Sequence, residues 1–255
     1  MILEAYYEPQ FSDHSHGFRP ERGCHTALRE VYRDWVGTTW FIEGDISQCF
    51  DKLDHHILLT ILREGIHDEQ FIALISGLLK AGYLEDWRFH KTLSGSPQGG
   101  IVSPNLANIY LNKLDKYVEG IQFPANTRGK KRRPNSKYQS LQRRAREKRR
   151  QGNWEAADEL KRRMQQMPSI DPSDPKYRRL KYVRYADDFL LGFSGPRAEA
   201  EEIKQQLEKF LGENLKLELS QTKTLITHAR TEAARFLGYG ATRLVQTGPG
   251  QGTTR

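Results

Sequence analysis

The run Tyr182-Val183-Arg184-Tyr185-Ala186-Asp187-Asp188-Phe189-Leu190-Leu191-Gly192-Phe193 decides the fold. Aromatic, aliphatic and β-branched residues flank a central Ala-Asp-Asp, the pattern of a tight β-hairpin. Aspartate at a turn is ordinary, because its carboxylate can cap nearby backbone amides. Two adjacent carboxylates between strands this apolar are costly to hold unless cations neutralise them. Hard divalent ions such as Mg²⁺ bind carboxylate oxygens and substrate phosphates alike. The rest of the chain is therefore searched for a third carboxylate.

The chain has 255 residues, 37% of them hydrophobic, and a formal net charge of +8. That length buries one good core with room for an appended lobe. The positive balance points to a polyanion such as nucleic acid and says nothing about fold. Its source is local: residues 128–163 hold 15 Lys and Arg against 4 Asp and Glu, whereas the remainder carries 25 against 28. Within this segment 137–150 is patterned as a helix with almost no apolar face. Trp154, Ala157, Leu160 and Met164 give the next stretch a thin apolar seam. A charge run is usually a solvated surface, but one this one-sided repels itself and suits a polyanion. Arg132, Arg133, Arg143, Arg144, Lys148 and Arg149 are the candidates to meet phosphates. Cys24 and Cys49 make no disulfide framework and fit a reducing compartment. Residues 1–7 lack the basic-then-apolar order of a signal peptide, and no apolar run approaches the ~20 residues that span a bilayer. No membrane partner is expected.

Along the chain, residues 1–12 read as the end of a helix that stops at Pro9. His14, His16, Cys24 and His25 raise zinc, but their spacing matches no common structural site. A basic loop entering a helix over 26–35 is the better reading. Residues 40–46 are β-prone, with Asp45 at the downstream end. Asp54 is placed to cap a helix bearing Ile57, Leu58, Ile61 and Leu62, and a second apolar helix covers 68–80. In Gly95-Ser96-Pro97-Gln98-Gly99-Gly100-Ile101-Val102-Ser103-Pro104, glycines such as Gly99 let backbone approach a ligand, and Gln98 offers a donor and an acceptor. Ser103 and Pro104 then read as N-cap and first residue of a helix. A Pro- and Asp-rich connector over 168–175 leads to the hairpin. Beyond it come an amphipathic helix over 199–211, an alternating half-exposed strand over 215–219 and one short strand over 235–239. Residues 246–255 have no pattern and read as disordered.

Strand–helix–helix followed by hairpin–helix–strand predicts an α+β fold, a small antiparallel sheet with helices on one face. Asp45 alone is an ordinary strand-end residue. If its strand neighbours the hairpin, three carboxylates converge where two divalent ions about 3.5–4 Å apart could serve phosphoryl transfer.

At this point the residues resemble a known family. His16-Gly17-Phe18-Arg19-Pro20, Gly44-Asp45-Ile46 through Phe50-Asp51, Pro97-Gln98-Gly99-Gly100-Ile101-Val102-Ser103-Pro104, Tyr185-Ala186-Asp187-Asp188 and Thr222-Lys223-Thr224 occur in order. Together they resemble the reverse transcriptase of bacterial group II introns, the intron-encoded maturase, over residues 1–240. The resemblance implies a palm-like antiparallel sheet with a basic helical insertion. Asp45 and Asp187 would be the principal ligands of two Mg²⁺ ions, assisted by Asp188. The Ile46 backbone would face the incoming triphosphate. Phe50 matches the ring that excludes a ribose 2′-hydroxyl, the alternative being a plain core aromatic. Gln98 and Gly99 would seat the nucleotide or the template base. Lys223 matches a lysine near the leaving pyrophosphate, or is a surface lysine. Arg19 would touch template or nucleotide, or brace its own loop. Residues 236–239, with Tyr239, resemble the hairpin that holds the primer end.

The implied organisation is a fingers remnant over 1–36, palm over 37–123, basic insertion and connector over 124–178, palm again over 179–245, and the tail. The implied activity is RNA-directed DNA synthesis from deoxynucleoside triphosphates, on RNA template and DNA primer, in a bacterial cytoplasm. Intron RNA is a further partner. The family's N-terminal fingers segment would precede Met1, and its thumb and maturase domains would follow Ala241. The expectation is therefore a fragment that binds Mg²⁺ and RNA but extends primers poorly unless another chain supplies those parts. A non-catalytic RNA-binding splicing cofactor is the alternative from a different class. A retron-like or diversity-generating lineage is a lesser one.

Overall fold

A computed structural model describes residues 2–81, 83–85, 88–90, 95, 102–172 and 174–242. Before the first strand, α1 (Ile2–Tyr7) runs into a 3₁₀ turn (Glu8–Gln10), and α2 (Cys24–Asp34) follows a loop. Strand β1 (Trp40–Asp45) leads into α3 (Cys49–Lys52), α4 (His55–Arg63) and α5 (Glu69–Lys80). Asp54 and Asp68 cap α4 and α5 by accepting from Ile57 N and from Gln70 and Phe71 N. A small pair, β2 (Tyr83–Glu85) and β3 (Arg88–His90), precedes α6 (Ser103–Tyr117), a π-turn (Val118–Gln122) and α7 (Phe123–Asn126). The basic segment forms α8 (Ser136–Arg150) and α9 (Trp154–Gln165). The quoted stretch is the hairpin β4 (Arg179–Tyr185) and β5 (Asp188–Ser194), followed by α10 (Arg197–Leu215), β6 (Ile226–His228), β7 (Ala234–Phe236) and β8 (Tyr239–Ala241).

The main sheet is antiparallel in the order β4-β5-β1-β6. Its register sets Asp45 opposite Asp188 and Tyr185 opposite Asp188. Side chains alternate between faces, so Ile42, Phe189, Leu191, Phe193 and Tyr182 share the face that packs on the helical layer. That layer supplies Leu106, Ile109, Tyr110 and Leu114 from α6 and Ile203, Leu207 and Leu211 from α10, all buried. Each such side chain contributes about 1.5–3 kcal/mol on burial. Tyr117 stacks on Phe210 with ring centroids 4.0 Å apart, joining the two helices. Gly44 is required by close approach, since a Cβ there would lie 2.1 Å from the Phe189 ring. The other face carries Phe41, Val183 and Leu190. It is covered by α2, through Ala27 and Trp35, and by the β7–β8 hairpin, through Ala234 and Phe236. The expected helical face is present, and a lighter cover is added behind it.

Three local expectations are corrected. Residues 215–219 are not a strand: Leu215 closes α10, Lys216 turns left-handed at φ 50°, and one bridge, Ile46 to Leu219, is made. The Leu alternation is nevertheless real in burial, with Leu217 and Leu219 inside. Residues 235–239 lie in a hairpin that turns at Leu237 and Gly238, both at positive φ. Ser103 sits inside α6 rather than capping it, because Val102 O already accepts from Asn105 and Leu106. The patternless tail over 246–255 lies outside the described residues.

Behind the hairpin sits a buried ion pair. Arg184 on β4 and Asp115 on α6 are both fully buried and bidentate, Nε to Oδ1 at 2.8 Å and Nη2 to Oδ2 at 2.7 Å. Arg184 Nη1 also donates to Asn108 Oδ1 (3.1 Å) and Ala186 O (2.8 Å), and Nη2 to Ser15 Oγ (2.9 Å). Tyr182 donates to Asp115 Oδ1 at 2.8 Å. All five N–H donors of the guanidinium are thereby satisfied. Asp115→Ala should cost about 3–5 kcal/mol in urea unfolding, because it strands a buried guanidinium. A loss below about 1 kcal/mol would show that the pair is not buried in solution.

Candidate functional site

The end of the main sheet gathers the predicted carboxylates. Asp45 is the last residue of β1, Asp188 the first of β5, and Asp187 lies in the two-residue turn before it. Ala186 opens that turn at φ 55°, a left-handed position that costs a non-glycine residue about 1–2 kcal/mol. Two contacts hold it there. Arg184 grips the Ala186 carbonyl, and Gly17 packs so closely that a Cβ on it would lie 2.3 Å from Ala186 N. Residues 14–16 lie along β4 like a further strand, with His16 N bonded to Arg184 O and Arg184 N to His14 O, each at 2.8 Å.

Crowding governs the electrostatics. Burial, then the charges of Asp187 and Asp45, push the Asp188 carboxyl up to about 6, and it shares a hydrogen bond with Asp45. Burial and Asp45 raise Asp187 as well. Lys223 Nζ sits 3.1 Å from Asp45 Oδ1, and that bond raises the ammonium's pKa. The negative charge is relieved in part by the Lys223 ammonium and, below about pH 6, by a proton on Asp188. Among the described residues no group of three or more His, Cys, Asp or Glu side chains is arranged to hold a metal ion. The donor set nonetheless fits a hard divalent cation. It consists of carboxylate oxygens alone, two of them destabilised as anions, at a strand end where substrate oxygens can complete the coordination.

The remaining predicted residues fall into two groups. Ile46 is buried, and its bridge to Leu219 is flanked by bonds from Ser220 N to Asp45 O (2.8 Å) and Ser47 N to Glu218 O (2.9 Å). In that pairing its own amide and carbonyl point to the other edge, the side of the Asp187 turn. Phe50, in α3, is half-buried at the edge of the core, with its ring 6.2 Å from that of Phe18. Tyr239 is exposed on the β7–β8 hairpin, which Glu43 anchors by accepting from Arg235 N (3.0 Å), while its other oxygen accepts from Thr227 Oγ1 of β6. Gln98 and Gly99 lie outside the described residues.

Arg19 follows the second of its two readings. Its guanidinium bonds Glu8, Ser12 O and Ser15 O, and the residue is buried, so it braces its own loop and is not free to meet substrate. His14 and His16 each bond Glu30, at 2.5 and 2.9 Å. Burial works to raise the Glu30 pKa, but the two histidines outweigh it and bring the carboxyl to about 2.

Helices α8 and α9 pack against each other; Ala157 is buried, and Leu141, Ala145, Leu160 and Met164 are half-buried. Arg143 and Arg144 are exposed and make no ion pair among the described residues, and Arg149 reaches Asp158 only at 4.0 Å. Lys148 bonds Gln151 at 3.3 Å. Arg132 stacks on Tyr177 and donates to Gly37 O, which holds the insertion to the body, whereas Arg133 pairs with Asp171 and donates its amide N–H to Asp174 Oδ2 within the connector, its side chain remaining exposed. Charge counting cannot separate such residues from free ones.

Sequence reasoning passed over Arg184, Asp115, Asn108 and Glu43. An arginine in the apolar run 180–191 is an anomaly that a search for buried partners would have caught. Asn108 and Asp115, seven residues apart on an otherwise apolar helix face, are its counterpart.

Crowding at the strand end has a pH signature. The folded state holds the Asp188 proton more tightly than the unfolded chain, about 6 against 3.8. This group therefore supports the fold fully below pH 3.8 and loses that support as pH rises through about 6. Without divalent metal, Asp188→Asn should raise the melting midpoint at pH 7.5 and leave it nearly unchanged at pH 3.5. An equal difference at both pH values would rule out a raised carboxyl.

Comparison with known proteins places these features. The family model described as reverse transcriptase (RNA-dependent DNA polymerase) matches residues 1–126 and 155–241. The group II intron-encoded protein LtrA of Lactococcus lactis is 43% identical over 94% of the chain, which spans 41% of that protein. Protein YkfC of Escherichia coli is 34% identical over 98% of the chain and 62% of its own length. An uncharacterised 91 kDa protein in the cob intron of Schizosaccharomyces pombe is 39% identical over 93% of the chain and 30% of its own length. The telomerase of Candida albicans, solved with a fragment of telomeric RNA, shares the fold at a TM-score of 0.57 and 12% identity, over 94% of this chain and 36% of that one. The matched residues flank most of the basic helical segment and include Asp45, Asp187, Asp188 and Lys223. The chain belongs to the reverse transcriptase (RNA-dependent DNA polymerase) family.

Proposed function

We propose that the chain carries out RNA-directed DNA synthesis for a group II intron, joining deoxynucleoside triphosphates to a DNA primer on an RNA template in a bacterial cytoplasm. The observation that carries this reading is the meeting of Asp45, Asp187 and Asp188 at one strand end, with Lys223 beside them. Asp45 and Asp187 would hold two Mg²⁺ ions, with Asp188 assisting. When bound, the ions lower the pKa of the primer 3′-hydroxyl and stabilise the leaving phosphate oxygens. Lys223, whose Nζ lies 3.1 Å from Asp45 Oδ1, would set its ammonium charge near the departing pyrophosphate. The Ile46 backbone lines the triphosphate side, Phe50 excludes a 2′-hydroxyl by contact, and the hairpin bearing Tyr239 supports the primer end.

Primer extension on an RNA template, weak for the chain alone and stronger when it is joined to the remaining length of its relatives, should require Mg²⁺. Asp187→Ala should lower that rate by about 10²- to 10³-fold or more while leaving the melting midpoint no lower than the parent's. Full activity in the variant would remove the carboxylates from the chemistry.

A second reading, RNA binding in support of splicing, is favoured by one observation: the exposed Arg143, Arg144 and Arg149 project from a hairpin that needs no such charge for its own packing. A-form RNA is gripped largely through phosphates and 2′-hydroxyls, so this surface would bind with little regard to sequence. Deleting 128–163 should flatten the slope of RNA affinity against salt, since fewer counterions are released. An unchanged slope would make the segment a plain solvated surface.

A further inference from the structure

Phe18 is the one large residue of the His16–Pro20 stretch with no place in the reading above. Its neighbours are all committed to the fold. Gly17 is wedged against the Ala186 amide, its carbonyl accepts from the buried Asn108 Nδ2 at 2.7 Å, and Arg19 is tied to Glu8. Between these fixed points Phe18 stands at φ 55°, the left-handed region that a bulky residue avoids, and its side chain is held out to solvent at 54% exposure. An exposed phenylalanine on a strained backbone gains little from burial. Such a conformation persists only where the surroundings over-determine it, and it is found chiefly at functional sites.

The ring is directed at the site. Its centroid lies 6.2 Å from Phe50, edge-on at 81°, and 6.3 Å from Tyr185, the residue that precedes the carboxylate turn and faces Asp188 across it. Both separations are in the range where aromatic pairs attract. Phe18 thus bridges two rings on different elements, one in α3 and one in β4, on the open side of the carboxylates. Phe50 is only half-buried, and its core contacts leave one flank to Phe18.

We propose that Phe18 is a positioning residue for sugar selection: it buttresses Phe50 and so fixes the wall that meets the 2′ position of a bound nucleoside triphosphate. This rests on the polymerase reading with Phe50 as the excluding ring. A wall excludes a hydroxyl only if it cannot yield. Removing Phe18 leaves Phe50 in place but free to tilt into the space the neighbouring ring held, so ribonucleotides gain while deoxynucleotides change little.

The test compares the parent with Phe18→Ala, Phe18→Tyr and Phe50→Val in the full chain. The preference for a deoxynucleoside over the matching ribonucleoside triphosphate is read twice, from single-nucleotide primer extension with Mg²⁺ and from competition binding with Ca²⁺, which needs no turnover. Phe18→Ala should reduce the preference about three- to tenfold, the worth of one edge-to-face ring contact. The change should lie in ribonucleotide affinity, with the deoxynucleotide rate near the parent's and the melting midpoint within about 3 °C of it. Phe18→Tyr should restore the preference. A lost preference in Phe50→Val with a parental one in Phe18→Ala would overturn the inference alone. An unchanged preference in Phe50→Val, or a parent that binds neither triphosphate, would overturn the Phe50 reading and this inference with it.

Discussion

The interaction on which the rest depends is the buried pair of Arg184 and Asp115. A buried ion pair is weak evidence for stability, because desolvating two charges costs about as much as their attraction returns. What this pair supplies is uniqueness. The guanidinium touches residue 15 in the N-terminal loop, 108 and 115 on α6, and 186 in the carboxylate turn. This arrangement of those segments satisfies all five donors at once. A slip of β4 by one residue would carry Arg184 to the opposite face and leave Asp115 charged and alone. The pair therefore fixes the register of β4, and through it the position of Ala186 and Asp187.

Rigidity of that kind is what a crowded acidic site needs. Left to themselves, Asp187 and Asp188 would move apart or shed their charge, and their raised pKa values record the second tendency. Movement is blocked by Gly17 on one side of the turn and by the Arg184 bond to the Ala186 carbonyl on the other. The cost of crowding stays in the folded protein, relieved in part by Lys223, until a cation relieves it better. A local rule is broken at the site and compensated by contacts some distance away.

The sequence carried the parts of this that depend on neighbours in the chain. The hairpin, the strand ending at Asp45 and the caps at Asp54 and Asp68 were legible because each is decided within a few residues. Legibility fell where partners are remote. Arg184 and Ser15 are 169 residues apart, and nothing near either announces the other. The alternation over 215–219 was read correctly as a pattern of burial and wrongly as a strand, because β1 ends at Asp45 and leaves that edge only one bridge. Arg19, Arg132 and Arg133 differ from Arg143 only in having acceptors within reach, a property of the fold that composition does not encode.

The division of charge between insertion and body has a physical consequence for the two readings. Outside 128–163 the chain is slightly acidic, and its site is the most acidic part of the sheet. Crowded carboxylates repel a polyphosphate until cations arrive. Exposed arginines such as those of α8 attract phosphates, through contacts that position a strand without reading it. Affinity and chemistry are thereby placed on separate elements, and each can change with little effect on the other. A chain that lost its carboxylates would keep the basic hairpin and with it the capacity to hold RNA. On the two proposed readings, RNA binding would thus outlast a loss of catalysis, and the readings would describe one surface and one site rather than rival proteins.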